Sequence, residues 1–114
     1  MRRWVLAAVA ATVLTPVAAQ AASFPCERAR TADERAICAD RGLNDRDVEM
    51  AVLYRLTTSM VAMGARGTLQ DEQTQWLAGR RRCGGSRACI RTSYDSRNAR
   101  LHRVMDDIAS RGPF

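Results

Sequence analysis

Apolar positions along this chain recur at steps of three and four rather than two, and that spacing predicts helices. Met50, Leu53, Tyr54, Thr57, Met60 and Val61 form one such stripe, running over about four turns. Leu69, Gln73, Trp76, Leu77 and Arg80 share a second face, and Ile90, Tyr94, Arg97, Leu101, Val104, Met105 and Ile108 a third. Beyond the first two dozen residues, no segment alternates long enough to predict a strand. The expected fold is all-α, one short helix followed by three longer ones in a small bundle.

The residues between the stripes supply starts and stops. Phe24-Pro25-Cys26 reads as extended, because a residue before proline avoids the helical region. Thr31-Ala32-Asp33-Glu34 reads as a capping box, the Thr31 hydroxyl on the Glu34 amide and the Glu34 carboxylate reaching back. A short helix follows, through Cys38 or Asp40, with Gly42 placed to stop it. Asn44 or Asp45 is the expected cap of the second helix, with Asp45, Asp47 and Glu49 in its first turn. Gly64 and Gly67 break that helix, and Thr68 opens the third, with Asp71 and Glu72 near its start. Cys83-Gly84-Gly85 is a strong stop. Ser86 then caps the fourth helix, and Gly112-Pro113 closes the chain.

Residues 1–21 follow a different pattern. Met1-Arg2-Arg3 is charged, Trp4 to Val17 is apolar apart from two threonines and Pro16, and Ala19-Gln20-Ala21 offers small residues. That order predicts a signal peptide cleaved after Ala21, with Ala22 the alternative. A transmembrane helix needs about 20 apolar residues, and this run is shorter. Ser23-Phe24-Pro25 before Cys26 is not a lipoprotein signal. The expectation is therefore a periplasmic or secreted domain over residues 22–114, with no stable membrane anchor after cleavage.

A domain that small often needs covalent help, and four cysteines are present. Their intervals of 12 and 6 do not suit structural zinc, which prefers pairs two to four residues apart, and export favours oxidation. Four cysteines allow three pairings, which sequence alone does not separate. The helix layout favours Cys26–Cys38, folding the approach back along the short helix, with Cys83–Cys89 clasping the hairpin of helices three and four.

All 18 basic residues are arginine. Residues 26–49 carry five arginines against seven acids, whereas residues 80–103 carry eight arginines against Asp95 alone. The charge is thus polarised along the chain. Arg80, Arg81, Arg82, Arg87 and Arg91, with Arg100 and Arg103, read either as a solvated helix face or as a patch for an anionic partner. Export makes nucleic acid an unexpected ligand.

Longer-range motifs carry a family resemblance. Phe24-x-Cys26-x-x-Ala29-x-x-x-x-Glu34-x-x-Ile37-Cys38 is followed by Leu43-x-x-x-Asp47-x-x-Met50-Ala51-x-x-Tyr54. The second half has Glu72-Gln73-x-x-Trp76-Leu77-x-x-Arg80-x-x-Cys83, then Cys89-Ile90-x-x-x-Tyr94-x-x-Arg97-x-x-x-Leu101. Over residues 24–101 the chain resembles the LprI-like lysozyme-inhibitor N-terminal domain family. Asn98 departs from it, standing where the family usually has an aliphatic residue, as do Gly79, Arg81 and Arg82 on the helix surface. The resemblance implies a helical domain of exported proteins and, for the family's namesake, lysozyme inhibition. Glu34, Asp47, Tyr54, Gln73, Trp76, Arg80, Tyr94 and Arg97 are then its motif residues.

Nothing in the sequence marks catalysis, and no cofactor or metal is expected. The single histidine, His102, has no marked partner and reads as a partly exposed helix residue. Asp71/Glu72 and Asp106/Asp107 are adjacent pairs that diverge around a helix. Trp76, Tyr54 and Tyr94 read as core, their polar tips seeking partners. Arg80 and Arg97 are expected to lay their stems on those aromatics and pair with carboxylates, Asp47 and Glu72 being candidates. Met50, Met60 and Met63 on helix two fill the core or bury a dimer face. Two functions follow as expectations: inhibition of a lysozyme-type muramidase, or binding of an anionic cell-envelope component through the arginine face.

Overall fold

The computed structural model describes residues 22–111. The signal-peptide reading of residues 1–21 and the Gly112-Pro113 terminus lie outside the described residues. A 3₁₀ turn at Cys26–Arg28 precedes α1 (Ala32–Ala39), α2 (Arg41–Met60), α3 (Met63–Arg82) and α4 (Arg87–Ser110). The short helix and the three longer ones stand in the predicted order. No strand occurs among the described residues.

Two boundaries fall elsewhere than predicted. Helices α1 and α2 are separated by Asp40 alone, whose extended backbone ends one and whose Oδ1 accepts from the Leu43 amide at 3.0 Å to cap the other. Neither Asn44 nor Asp45 is the cap. Asn44 turns inward instead and donates to the Ile37 carbonyl at 2.9 Å, satisfying an orphan carbonyl of α1. Gly42 therefore lies in the first turn of α2 rather than ending α1. A Cβ there would stand 3.3 Å from the capping Asp40 oxygen. Because α2 starts at Arg41, Asp45, Asp47 and Glu49 follow its first turn rather than occupying it.

The capping box forms in part. Glu34 accepts from the Arg30 amide at 2.9 Å, but the Thr31 hydroxyl makes no cap bond.

Helix α2 gives way to α3 at Val61 and Ala62, both extended, so Gly64 and Gly67 are inside α3 and Thr68 does not open it. Thr57, Thr58 and Ser59 all bond back to carbonyls of the preceding turn, which weakens the end of α2. Arg66 Nε takes the Thr58 carbonyl at 2.8 Å and secures the turn. Two glycines cost a helix about 1 kcal/mol each. Packing of Leu69 and Gln73 against the core offsets that cost.

The α3–α4 hairpin follows the prediction. Gly84 adopts φ 57°, where glycine is favoured, and the Ser86 hydroxyl accepts from the Cys89 amide at 3.3 Å. The favoured disulfides are both present, Cys26–Cys38 and Cys83–Cys89, with Cα separations of 5.8 and 5.5 Å. They fit an oxidising compartment.

Arg46 meets Asp95 and Glu49 meets His102, so α2 and α4 run parallel, whereas α3 runs antiparallel to both. Ile37, Leu43, Ile90, Tyr94 and Leu101 are fully buried at the centre. Each such aliphatic side chain contributes roughly 1.5–3 kcal/mol. No helix among the described residues is long and apolar enough to cross a membrane.

Candidate functional site

Polar side chains from all four helices, three of them charged, converge inside the bundle. Arg80 on α3 donates through Nε to Asp33 Oδ2 of α1 at 2.8 Å and through Nη1 to the Tyr94 hydroxyl of α4 at 2.9 Å. Tyr94 in turn donates to Asp47 Oδ1 of α2 at 2.8 Å. Asp47 Oδ2 accepts from the Ser23 amide at 2.6 Å. The Arg80 guanidinium also lies 5.6 Å from the Trp76 ring centroid and 5.9 Å from that of Tyr94, within cation–π range.

Protonation follows from these contacts. Burial and the Asp47 charge push the Tyr94 phenol far above its ordinary value, so it remains a donor. Burial opposes ionisation of Asp33, but hydrogen bonding and the Arg80 charge prevail and hold its carboxyl below the usual range.

A second network joins α3 to α4. Glu72 receives Arg100 at 2.9 Å and Arg97 at 3.2 Å, and Arg97 Nε also donates to Gln73 Oε1 at 3.0 Å. Gln73 then donates to Met50 Sδ at 3.1 Å. Arg100, with burial opposing and Arg97 assisting, holds the Glu72 carboxyl below its usual range.

Arg80 packs on Trp76 and Tyr94, and both candidate carboxylates are met, Asp47 by Arg80 at 3.9 Å and Glu72 by Arg97 at 3.2 Å. Glu72 pairs with Arg97 and Arg100 of α4, not with Arg80, which lies about two turns farther along the same helix. Asp33 is the carboxylate that Arg80 meets most closely, and no sequence argument singled it out. Its spacing from Ile37, one turn on the same face, was the available signal. Trp76 Nε1 donates to the Ser93 carbonyl at 3.0 Å and packs edge-on against Tyr94, while Tyr54 is half-buried against the core. Asn98 is buried and donates to the Arg46 carbonyl and to Glu49, which accounts for a polar residue at that position. His102 does have a partner, Glu49 at 2.7 Å on the exposed surface.

The arginine face is smaller than the sequence suggested. Arg80 is buried within the ion network and leaves it. Arg81, Arg82, Arg87 and Arg91 remain exposed around the Cys83–Cys89 clasp. Asp40 faces Arg87 at 3.5 Å, whereas Arg81, Arg82 and Arg91 make no ion pair among the described residues.

An apolar surface was missed. Val48, Val52, Leu56 and Met60 recur every four residues along the outer side of α2, each between 40% and 42% exposed, and lead to Met63, which is 84% exposed. Their regular spacing was visible in the sequence but was overshadowed by the neighbouring core stripe. Met63 belongs to α3, and Met50 is buried, so the three methionines do not form one face. At the end of the bundle remote from the disulfide clasp, a groove of about 470 Å³ lies over Val61, Leu69, Val104 and Ile108, with Arg103 and Arg111 on its rim. Among the described residues no three His, Cys, Asp or Glu side chains gather as a metal site.

These features define a disulfide-stapled helical domain with a pinned interior and two contrasting surfaces. The chain matches no family model, no curated protein and no solved structure.

Proposed function

We propose that the protein is an exported binding domain that acts by covering a protein partner, without catalysis of its own, and that the partner is a lysozyme-type muramidase. The observation that carries the binding reading is the apolar stripe on α2. Val48, Val52, Leu56 and Met60 span about 18 Å at 1.5 Å per residue, a suitable centre for an interface of roughly 800 Å² per partner. Exposed Asp45 and Glu49 flank its first half and suit a basic enzyme, with Arg55 beside its second half.

The choice of muramidase comes from the family resemblance. In its support, Asp47, Gln73, Trp76, Arg80, Tyr94, Arg97 and the four cysteines are brought together as scaffold. The interior acids are engaged with arginines or with Tyr94, which leaves them poorly placed for acid–base chemistry. Lysozymes cleave glycosides with paired carboxylates in an open cleft, so a helical domain lying across it blocks substrate. The processed, oxidised protein should slow lysis of bacterial cell walls by lysozyme at micromolar concentrations. Leu56→Asp should remove the effect while the helical circular dichroism is unchanged. No slowing at large molar excess over several lysozymes overturns the proposal.

A second reading rests on Arg81, Arg82 and Arg91, which make no ion pair among the described residues. They suit an anionic envelope polymer, bound in a manner that weakens steeply with salt. Substituting these three by Ser should abolish such binding, and salt-insensitive binding excludes it.

A further inference from the structure

The interior network holds two carboxylates and one guanidinium. Asp33 is 1% and Asp47 0% exposed, and Arg80 bridges them at 2.8 and 3.9 Å. The cluster therefore carries one uncompensated negative charge, an arrangement that burial penalises. Asp47 is approached from the start of the described chain. The Ser23 amide already donates to its Oδ2 at 2.6 Å, and Ala22 is 9% exposed within the core cluster that contains Ile37, Leu43 and Tyr94. Immediately before Ala22 stands Ala19-Gln20-Ala21.

We propose that leader removal supplies the missing cation: the α-ammonium of Ala22, freed by hydrolysis of the Ala21–Ala22 bond, pairs with Asp47 and completes the buried network. This rests on the export reading of residues 1–21. Water adds across the amide, leaving a carboxylate on Ala21 of the released leader and an amine on Ala22. That amine takes up a proton near pH 7, since a free α-amino group titrates at about 7.7–8.0. The precursor offers only a neutral amide there, so processing itself stabilises the fold. The titratable and charged groups linked to Asp47 in this network are Asp33 from α1, Arg80 from α3 and Tyr94 from α4. Cleavage after Ala22 has the same consequence, because it places the ammonium on the Ser23 nitrogen that already touches Asp47.

The composition makes a clean test. The chain has no lysine, so the α-amine is the only primary amine of the processed protein. Exported, disulfide-intact protein is treated with an acetylating N-hydroxysuccinimide ester at pH 8, folded and in urea, and the modified fraction is read by mass. At pH 8, pairing that raises the amine pKa by one unit makes the reactive free base about four- to fivefold rarer, so the folded protein should acetylate more slowly by about that factor. Protein acetylated in urea and then returned to buffer should melt roughly 4–8 °C lower. In Asp47→Asn, whose network is neutral without the terminus, acetylation should leave the melting temperature unchanged. The acetylation rates need no variant, so the test stands even where Asp47→Asn fails to fold. A mass retaining Met1 ends both the export reading and this proposal. A chain beginning at Ala22 that acetylates equally fast folded and unfolded, or melts unchanged once acetylated, overturns the proposal alone.

Discussion

Arg80 and Asp33 lie 47 positions apart, yet Nε of one meets Oδ2 of the other at 2.8 Å, with both side chains withdrawn from water. The contact ties α1 to α3. At eight residues α1 is too short to hold its shape alone, since isolated helices below about 12–15 residues are marginal. The Cys26–Cys38 bridge, Ile37 in the core and this ion pair fix it together.

Arg80→Met should be severely destabilising. It leaves Asp33 and Asp47 buried without their cation, and breaking a buried pair costs about 3–5 kcal/mol. Urea unfolding followed by circular dichroism measures it. A loss below about 1 kcal/mol contradicts the network, being ordinary for an unremarkable substitution.

Tyr94→Phe keeps the ring and removes only the bridging hydroxyl. One donor to Asp47 and one acceptor for Arg80 vanish, and each abandoned buried group costs about 1–3 kcal/mol. The melting temperature should fall with the helix content of the folded protein unchanged.

The two disulfides should differ in both weight and reactivity. Loop entropy assigns about 3 kcal/mol to Cys26–Cys38 and about 2 kcal/mol to Cys83–Cys89, whose loop is shorter. Cys89 is exposed, whereas Cys26 and Cys38 pack half-buried against the core. Mild reductant under native conditions should therefore open Cys83–Cys89 first, as alkylation and peptide mass mapping will show. Prior opening of Cys26–Cys38 is incompatible with this structure.

Acid should weaken the fold in a defined window. Asp33 and Glu72 are both held below the usual carboxylate range. A group with a depressed folded value binds protons more readily when unfolded, so its contribution is complete above the unfolded value of about 4 and is lost as pH falls through the folded one. The urea midpoint should change little from pH 7 to 5 and fall steeply below about pH 4. Glu72→Gln should flatten part of that fall, because its charge no longer responds.

Much of the architecture was legible locally. Most of the helical faces (Met60 and Leu77, read onto them, are exposed), the stop at Cys83-Gly84-Gly85, the Ser86 cap and the preferred disulfides depend on residues within a few turns of one another. Such short-range chemistry is carried by spacing and residue type. The failures were also local in appearance but not in cause. Gly42, Gly64 and Gly67 look like breaks, yet each lies in a helix. At the first junction Asp40 and Asn44 together satisfy the backbone ends, and at the second Arg66 secures the turn.

What the sequence determined by itself is an amphipathic, cysteine-clasped helical chain with its charge divided between two halves. Only the tertiary structure decided which of the twelve acids meet which arginines, that Arg80 faces inward, and that an apolar stripe on α2 stays uncovered. Ion pairing across helices depends on how whole elements are oriented and staggered. That is set by packing the entire core, and no short window of sequence contains it.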